Sequence, residues 1–139
     1  FPYEQGSGRL GDVLQTVSTL PADYQGPRNA AEIVIHPSGR LAYASNRRLP
    51  GTDAPAADSI AHFTVDPETG LLEPQGHVTD GIGFPRHIAL DPTGTRLYVC
   101  NQKANTIVRF AIDPQTGALE PAGQPIQTPA PVCIVFTTL

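Results

Sequence analysis

Short apolar runs separated by Pro, Gly and Asp recur along the chain. Glu32-Ile33-Val34-Ile35-His36 leads into Pro37-Ser38-Gly39, and Leu41-Ala42-Tyr43-Ala44-Ser45-Asn46 follows. Arg86-His87-Ile88-Ala89-Leu90 leads into Asp91-Pro92-Thr93-Gly94, and Leu97-Tyr98-Val99-Cys100-Asn101 follows. Apolar runs bounded by turn residues read as strands, and Ser59-Ile60-Ala61-His62-Phe63-Thr64-Val65 alternates as a half-buried strand does. No window of useful length carries helical periodicity.

The pattern is a repeat. Pro37, Gly39, Tyr43 and Asn46 match Pro92, Gly94, Tyr98 and Asn101 at an offset of 55 residues. Asp66-Pro67-Glu68-Thr69-Gly70 matches Asp113-Pro114-Gln115-Thr116-Gly117 at an offset of 47, because the connection after the second strand is eight residues shorter in the second unit. In this turn Asp can bond its own backbone, Pro presets φ, and Gly takes positive φ. Strands are expected near 32–36, 41–46, 59–65 and 71–78, then near 87–91, 96–101, 105–112 and 118–124. Four-stranded antiparallel units of this period are the mark of propeller blades. A β-sandwich would not repeat its turn chemistry in register. The fold class expected is all-β, a β-propeller fragment of about two complete four-stranded antiparallel blades plus one strand at each end. The blades span 32–78 and 87–124. Residues 1–20 read as the outer strand of a preceding blade, and 132–136 as the inner strand of the closing blade. Propellers close with about four to eight blades, so the remaining blades, on the same or another chain, are expected to complete the ring.

Composition narrows the partners. The net charge of −4 over 139 residues argues against nucleic acid and against an anionic membrane surface. A local Arg cluster still permits a small anionic substrate. There is no apolar run long enough to span a bilayer and no signal-peptide pattern. The first residue is Phe1, which reads as a processed or partial chain. Lys103 is the only lysine, beside eight arginines. Cys100 and Cys133 both fall in expected strands and read as buried free thiols, which fits a reducing, cytoplasmic location.

A meander fixes which strand ends share a rim. The start of strand one and the end of strand two lie together, so Glu32, Arg86 and His87 should meet near the channel mouth as the candidate catalytic residues. Asn46, Arg47 and Asn101 end the second strands on the same rim as candidate substrate-binding residues, and the 47–57 loop rises there. Equivalent slots are Ala31, Arg86 and Val132, then Glu32, His87 and Cys133. Blade packing does not demand charge in slots that another blade fills with Ala, Val or Cys. A solvated Glu32, an Arg86 paired between blades and a hydrogen-bonded structural His87 stay open beside this reading. The asparagines recur in both blades and could equally share a structural role at the strand end. His36 and Asp91 read as turn formers, and His62 and His77 as surface residues. No cluster has metal-ligand spacing and there is no phosphate-binding Gly loop, so neither metal nor cofactor is expected.

Ala31-Glu32-Ile33 with Pro37-Ser38-Gly39-Arg40 and Tyr43-Ala44-Ser45-Asn46-Arg47, then Asp58-Ser59-Ile60-Ala61, Pro85-Arg86-His87-Ile88-Ala89-Leu90-Asp91-Pro92 and Pro129-Ala130-Pro131-Val132-Cys133, resemble the C-terminal part of the lactonase-type seven-bladed propellers. That family includes the propeller class of 6-phosphogluconolactonase and the carboxy-cis,cis-muconate lactonising enzymes. The resemblance implies a metal-free site at the channel mouth in which a Glu and an Arg act, and Glu32 and Arg86 stand at the matching positions. It implies hydrolysis of a sugar-phosphate lactone in the pentose phosphate pathway. Cycloisomerisation of a carboxylated muconate and a non-catalytic binding propeller are the other readings. As a piece of a ring, the isolated chain is expected to be inactive.

Overall fold

The computed structural model describes residues 1–24, 26–27, 29–49 and 58–137. Most of the expected 47–57 loop therefore lies outside the described residues. Two antiparallel sheets hold the core. In the first, β3 (Ala30–Ile35), β4 (Leu41–Asn46), β5 (Ser59–Val65) and β6 (Leu72–Val78) follow one another in sequence order. In the second, β7 (Pro85–Leu90), β8 (Arg96–Asn101), β9 (Thr106–Ile112) and β10 (Leu119–Pro121) do the same, and β11 (Ile126–Gln127) also pairs with β9. A two-stranded hairpin of β1 (Tyr3–Glu4) and β2 (Arg9–Leu10) precedes them. No helix occurs among the described residues.

The repeated turns are built alike because their residues are alike. Asp66 Oδ1 accepts the Glu68 and Thr69 N–H groups at 2.9 and 2.8 Å, and Asp113 Oδ1 accepts those of Gln115 and Thr116 at 2.9 and 2.8 Å. These bonds hold both exposed carboxyls below their ordinary range. Gly70 and Gly117 close the turns at φ 71° and 75°, a region side chains disfavour.

The sheets pack face to face. Leu41, Tyr43 and Ile60 of the first meet Ile88, Leu97, Val99, Val108, Phe110, Ile112 and Leu119 of the second. Two polar ties join the sheets. The Tyr43 hydroxyl donates to the Gly117 carbonyl at 3.0 Å, and burial pushes its pKa up to about 12. His36 Nδ1 accepts the Ser38 N–H, so Nε2 donates to the Gly94 carbonyl at 2.8 Å. His36 is thus more than a turn former, since it joins one blade's turn to the next.

Five expectations change. The outer strand near 118–124 is split, because Gly123 at φ 86° bends the chain between β10 and β11 and the Arg109 guanidinium binds the Ala122 carbonyl. The segment 11–20 is no strand. Its contacts run through side chains instead: the Gln15 amide both donates to the Leu72 carbonyl and accepts its N–H at 2.8 Å, and Val17 packs on Ala42, Ala44, Ala61 and Phe63. Residues 132–136 form no ladder with a described strand, and a strand exists only through its neighbour; the Phe136 ring meets Tyr98 edge-on at 5.1 Å. Cys133 is consequently exposed while Cys100 is buried. Neither outer-strand histidine is a free surface group. His77 Nε2 contacts the Thr19 carbonyl at 2.9 Å, and His62 is half-buried with Nδ1 unpartnered.

Candidate functional site

Both inner strands break register at the same place. In the first sheet Ala30 pairs with Asn46 and the next pair is Ile33 with Ala44; in the second, Pro85 pairs with Asn101 and the next pair is His87 with Cys100. Each β-bulge re-aims the side chains at its strand start. The displaced residues are Ala31 and Glu32 in one sheet and Arg86 in the other. In the first sheet Ser45 Oγ accepts the orphaned Glu32 N–H at 3.1 Å.

The bulges bring two of the candidates together. Glu32 Oε2 lies 3.7 Å from His87 Nε2, and Glu32 Oε1 accepts the Ile33 N–H at 3.3 Å. Both side chains are partly open to solvent. His87 Nδ1 is buried without a partner. Arg86, the residue before His87, is exposed. Its charge is near enough to act on Arg47, whose guanidinium is held below its ordinary pKa by burial first and Arg86 second, with Asp58 opposing.

Arg47 leans over the Phe84 ring, its guanidinium carbon 5.1 Å from the centroid, and Lys103 Nζ stands 4.2 Å from the same centroid. Phe84 is fixed from several sides. Its backbone sits at φ 57°, an unfavourable region for a side-chain-bearing residue. The buried Asp58 carboxylate accepts its N–H at 3.0 Å, and its carbonyl accepts the Gln102 N–H at 3.1 Å. Asp58 also pairs with Arg48 at 3.0 Å. The same clasp recurs one unit on: Asn105 Oδ1 accepts the N–H of Ala130, another positive-φ residue before proline, at 2.9 Å. Phe84, Asp58 and Lys103 were not among the expected site residues. The available signals were the repeated residue-before-proline at 84 and 130 and the solitary lysine.

The asparagines are corrected. Asn101 is fully buried; its amide donates to the Gly81 carbonyl at 2.8 Å and to Thr106 Oγ1 at 3.2 Å, and accepts the Gly83 N–H at 3.0 Å. Asn46 donates to the Thr19 carbonyl at 2.6 Å and to Ser59 Oγ at 3.2 Å, and accepts the Thr19 hydroxyl at 2.6 Å. Both amide hydrogens are committed in each, so neither side chain is free to meet a substrate. They hold the segment that approaches the sheet to the end of its second strand. Among the described residues no group of three His, Cys, Asp or Glu is arranged around a common point as metal ligands would be.

Comparison with known proteins accounts for this repeat. The family described as lactonase, 7-bladed beta-propeller, matches residues 1–136. The chain belongs to this family. The periplasmic gluconolactonase PpgL of Pseudomonas aeruginosa superposes with a TM-score of 0.77 at 31% identity, over 92% of this chain and 33% of that one. A candidate 6-phosphogluconolactonase of Bacteroides fragilis gives a TM-score of 0.80 at 33% identity, over 98% of this chain and 35% of that one. The 6-phosphogluconolactonase of Photorhabdus laumondii is 37% identical over 92 residues, 66% of this chain and 25% of its own length. The chain thus spans about a quarter to a third of the lactonase-type propellers it matches.

Proposed function

We propose that this lactonase-type propeller hydrolyses a sugar-phosphate lactone, as a 6-phosphogluconolactonase does. The observation that carries the reading is the approach of Glu32 to His87 at two equivalent bulges, with Arg86 the displaced residue of the second. Water attacks the lactone carbonyl carbon while Glu32 or His87 takes its proton. The carbon–oxygen bond of the ring then breaks, and the ring oxygen leaves as a hydroxyl by accepting that proton. Lactone and water become one hydroxy acid. The planar guanidinium of Arg86 suits an anionic oxygen pair on the substrate. The named relatives and structures described above are lactonases, which favours this reading over muconate cycloisomerisation and over a non-catalytic propeller.

In this reading the partners are a small anionic lactone and the further blades that complete the ring, with 32–78 and 87–124 as two of them. The pathway is the pentose phosphate pathway. Two unpaired cysteines support a cytoplasmic setting, against the periplasmic setting in the name of the Pseudomonas neighbour. The test is Glu32→Gln in the complete polypeptide that bears this sequence, assayed on 6-phosphogluconolactone. The expected fall in kcat/KM is about a hundredfold or more. A rate equal to that of the parent removes Glu32 from the mechanism.

A further inference from the structure

The chain as a whole is negative, yet several of its cations gather at one rim. Arg47 and Lys103 both stand within cation–π distance of the one Phe84 ring. Arg86 projects from the bulge two residues beyond that ring. Among the described residues the close cation–carboxylate contacts are Arg48 with Asp58 and the imidazole of His87 with Glu32. Arg47, Arg86 and Lys103 therefore have no carboxylate bonded to them there. Arg47 Nε is buried without a hydrogen-bond partner, an arrangement that costs free energy unless something supplies an acceptor. The protein holds this cluster in place at further cost, with Phe84 kept at positive φ by the buried Asp58. A rigid aromatic shelf that carries two cations, beside a third at the reactive bulge, is suited to a compact ligand of more than one negative charge. A phosphate monoester has that charge and enough oxygens to meet a guanidinium fork and an ammonium together.

We propose that Arg47, Lys103 and Arg86, arranged about the Phe84 ring, form a phosphate-recognition subsite in which Lys103 sets the preference for phosphorylated over unphosphorylated lactone. The proposal rests on the lactonase reading for the identity of the substrate, and on the cationic rim alone for the phosphate. Lys103 is exposed, so its replacement spares the core. In Lys103→Gln, the ratio of kcat/KM on 6-phosphogluconolactone to that on glucono-δ-lactone should fall about tenfold or more, chiefly through KM, and Lys103→Arg should restore most of it. Calorimetric titration with inorganic phosphate and with 6-phosphogluconate gives the second arm. Both should bind the parent more weakly at higher salt, and Lys103→Gln more weakly than the parent. Hydrolysis with an unchanged ratio in Lys103→Gln overturns the subsite and leaves the lactonase reading standing. Lys103-dependent phosphate binding without hydrolysis of either lactone does the reverse. Equal phosphate affinity in parent and variant overturns the subsite in either case.

Discussion

Replacing Asn101 by Ala separates a structural asparagine from a ligand-binding one. The substitution deletes three hydrogen bonds at once, to the Gly81 carbonyl, the Gly83 N–H and Thr106 Oγ1. Each such bond contributes roughly 1 kcal/mol net. Gly81 is exposed and Gly83 half-buried, so water can recover part of the loss. The sum is about 2–4 kcal/mol, a large share of the 5–15 kcal/mol typical of a folded domain. Urea unfolding should show this as a lower midpoint at an unchanged slope. Asn46→Ala should lose a similar amount, because it removes the equivalent three bonds. Asn101→Asp should be no better than Asn101→Ala. It keeps an acceptor for Gly83, but it turns a carboxylate oxygen toward the Gly81 carbonyl. A loss below about 1 kcal/mol in both alanine variants would refute the cradle, and lowered 6-phosphogluconate affinity at parental stability would restore the asparagines to the substrate site.

Tyr43→Phe should cost about 1–2 kcal/mol, since the Gly117 carbonyl loses a buried donor; parental stability in urea would mean that the two sheets do not depend on that bond. His62 is held below its ordinary pKa by burial first and by neighbouring His77 second, with the nearby Gly76 backbone opposing. The unfolded chain therefore binds the extra proton more readily. The stability this group contributes is fully present above its unfolded pKa of about 6.5 and is lost as pH falls through that value toward the folded one. Comparing urea midpoints at neutral and mildly acid pH, His62→Gln should show a shallower decline than the parent; an equal decline assigns the effect to other groups.

The blades were legible because two independent turn signatures recur in register, and turn chemistry is local. Gly70 and Gly117 had to occupy left-handed positions wherever the sheets lay. The positions of β3–β5 and β7–β9 followed from apolar runs bounded by turn residues, but their register did not, because a bulge breaks it at the start of β3 and of β7. The outer elements were less legible, because an outer strand is defined by what lies beside it. Gln15 does with one amide what a strand does with its backbone, and nothing in the local pattern distinguishes the two. The site was read by contrast between units. That contrast singled out Glu32, Arg86 and His87, since packing does not demand charge in slots that another unit fills with Ala, Val or Cys. It did not bear on Asn46 and Asn101, where the same residue type in both blades reflects a shared cradle, the structural role that their recurrence had pointed to. It also missed Lys103, whose counterpart at the same offset is Arg48, a residue already paired with Asp58. Similar charge in both slots hid a difference that only the Phe84 ring creates.

Asp58 and Asn105 each lie upstream of the backbone they fasten. In each clasp the earlier unit supplies the acceptor and the later segment the N–H. A lesion at Asp58 should therefore loosen the start of β7 while leaving the first sheet's own ladder whole.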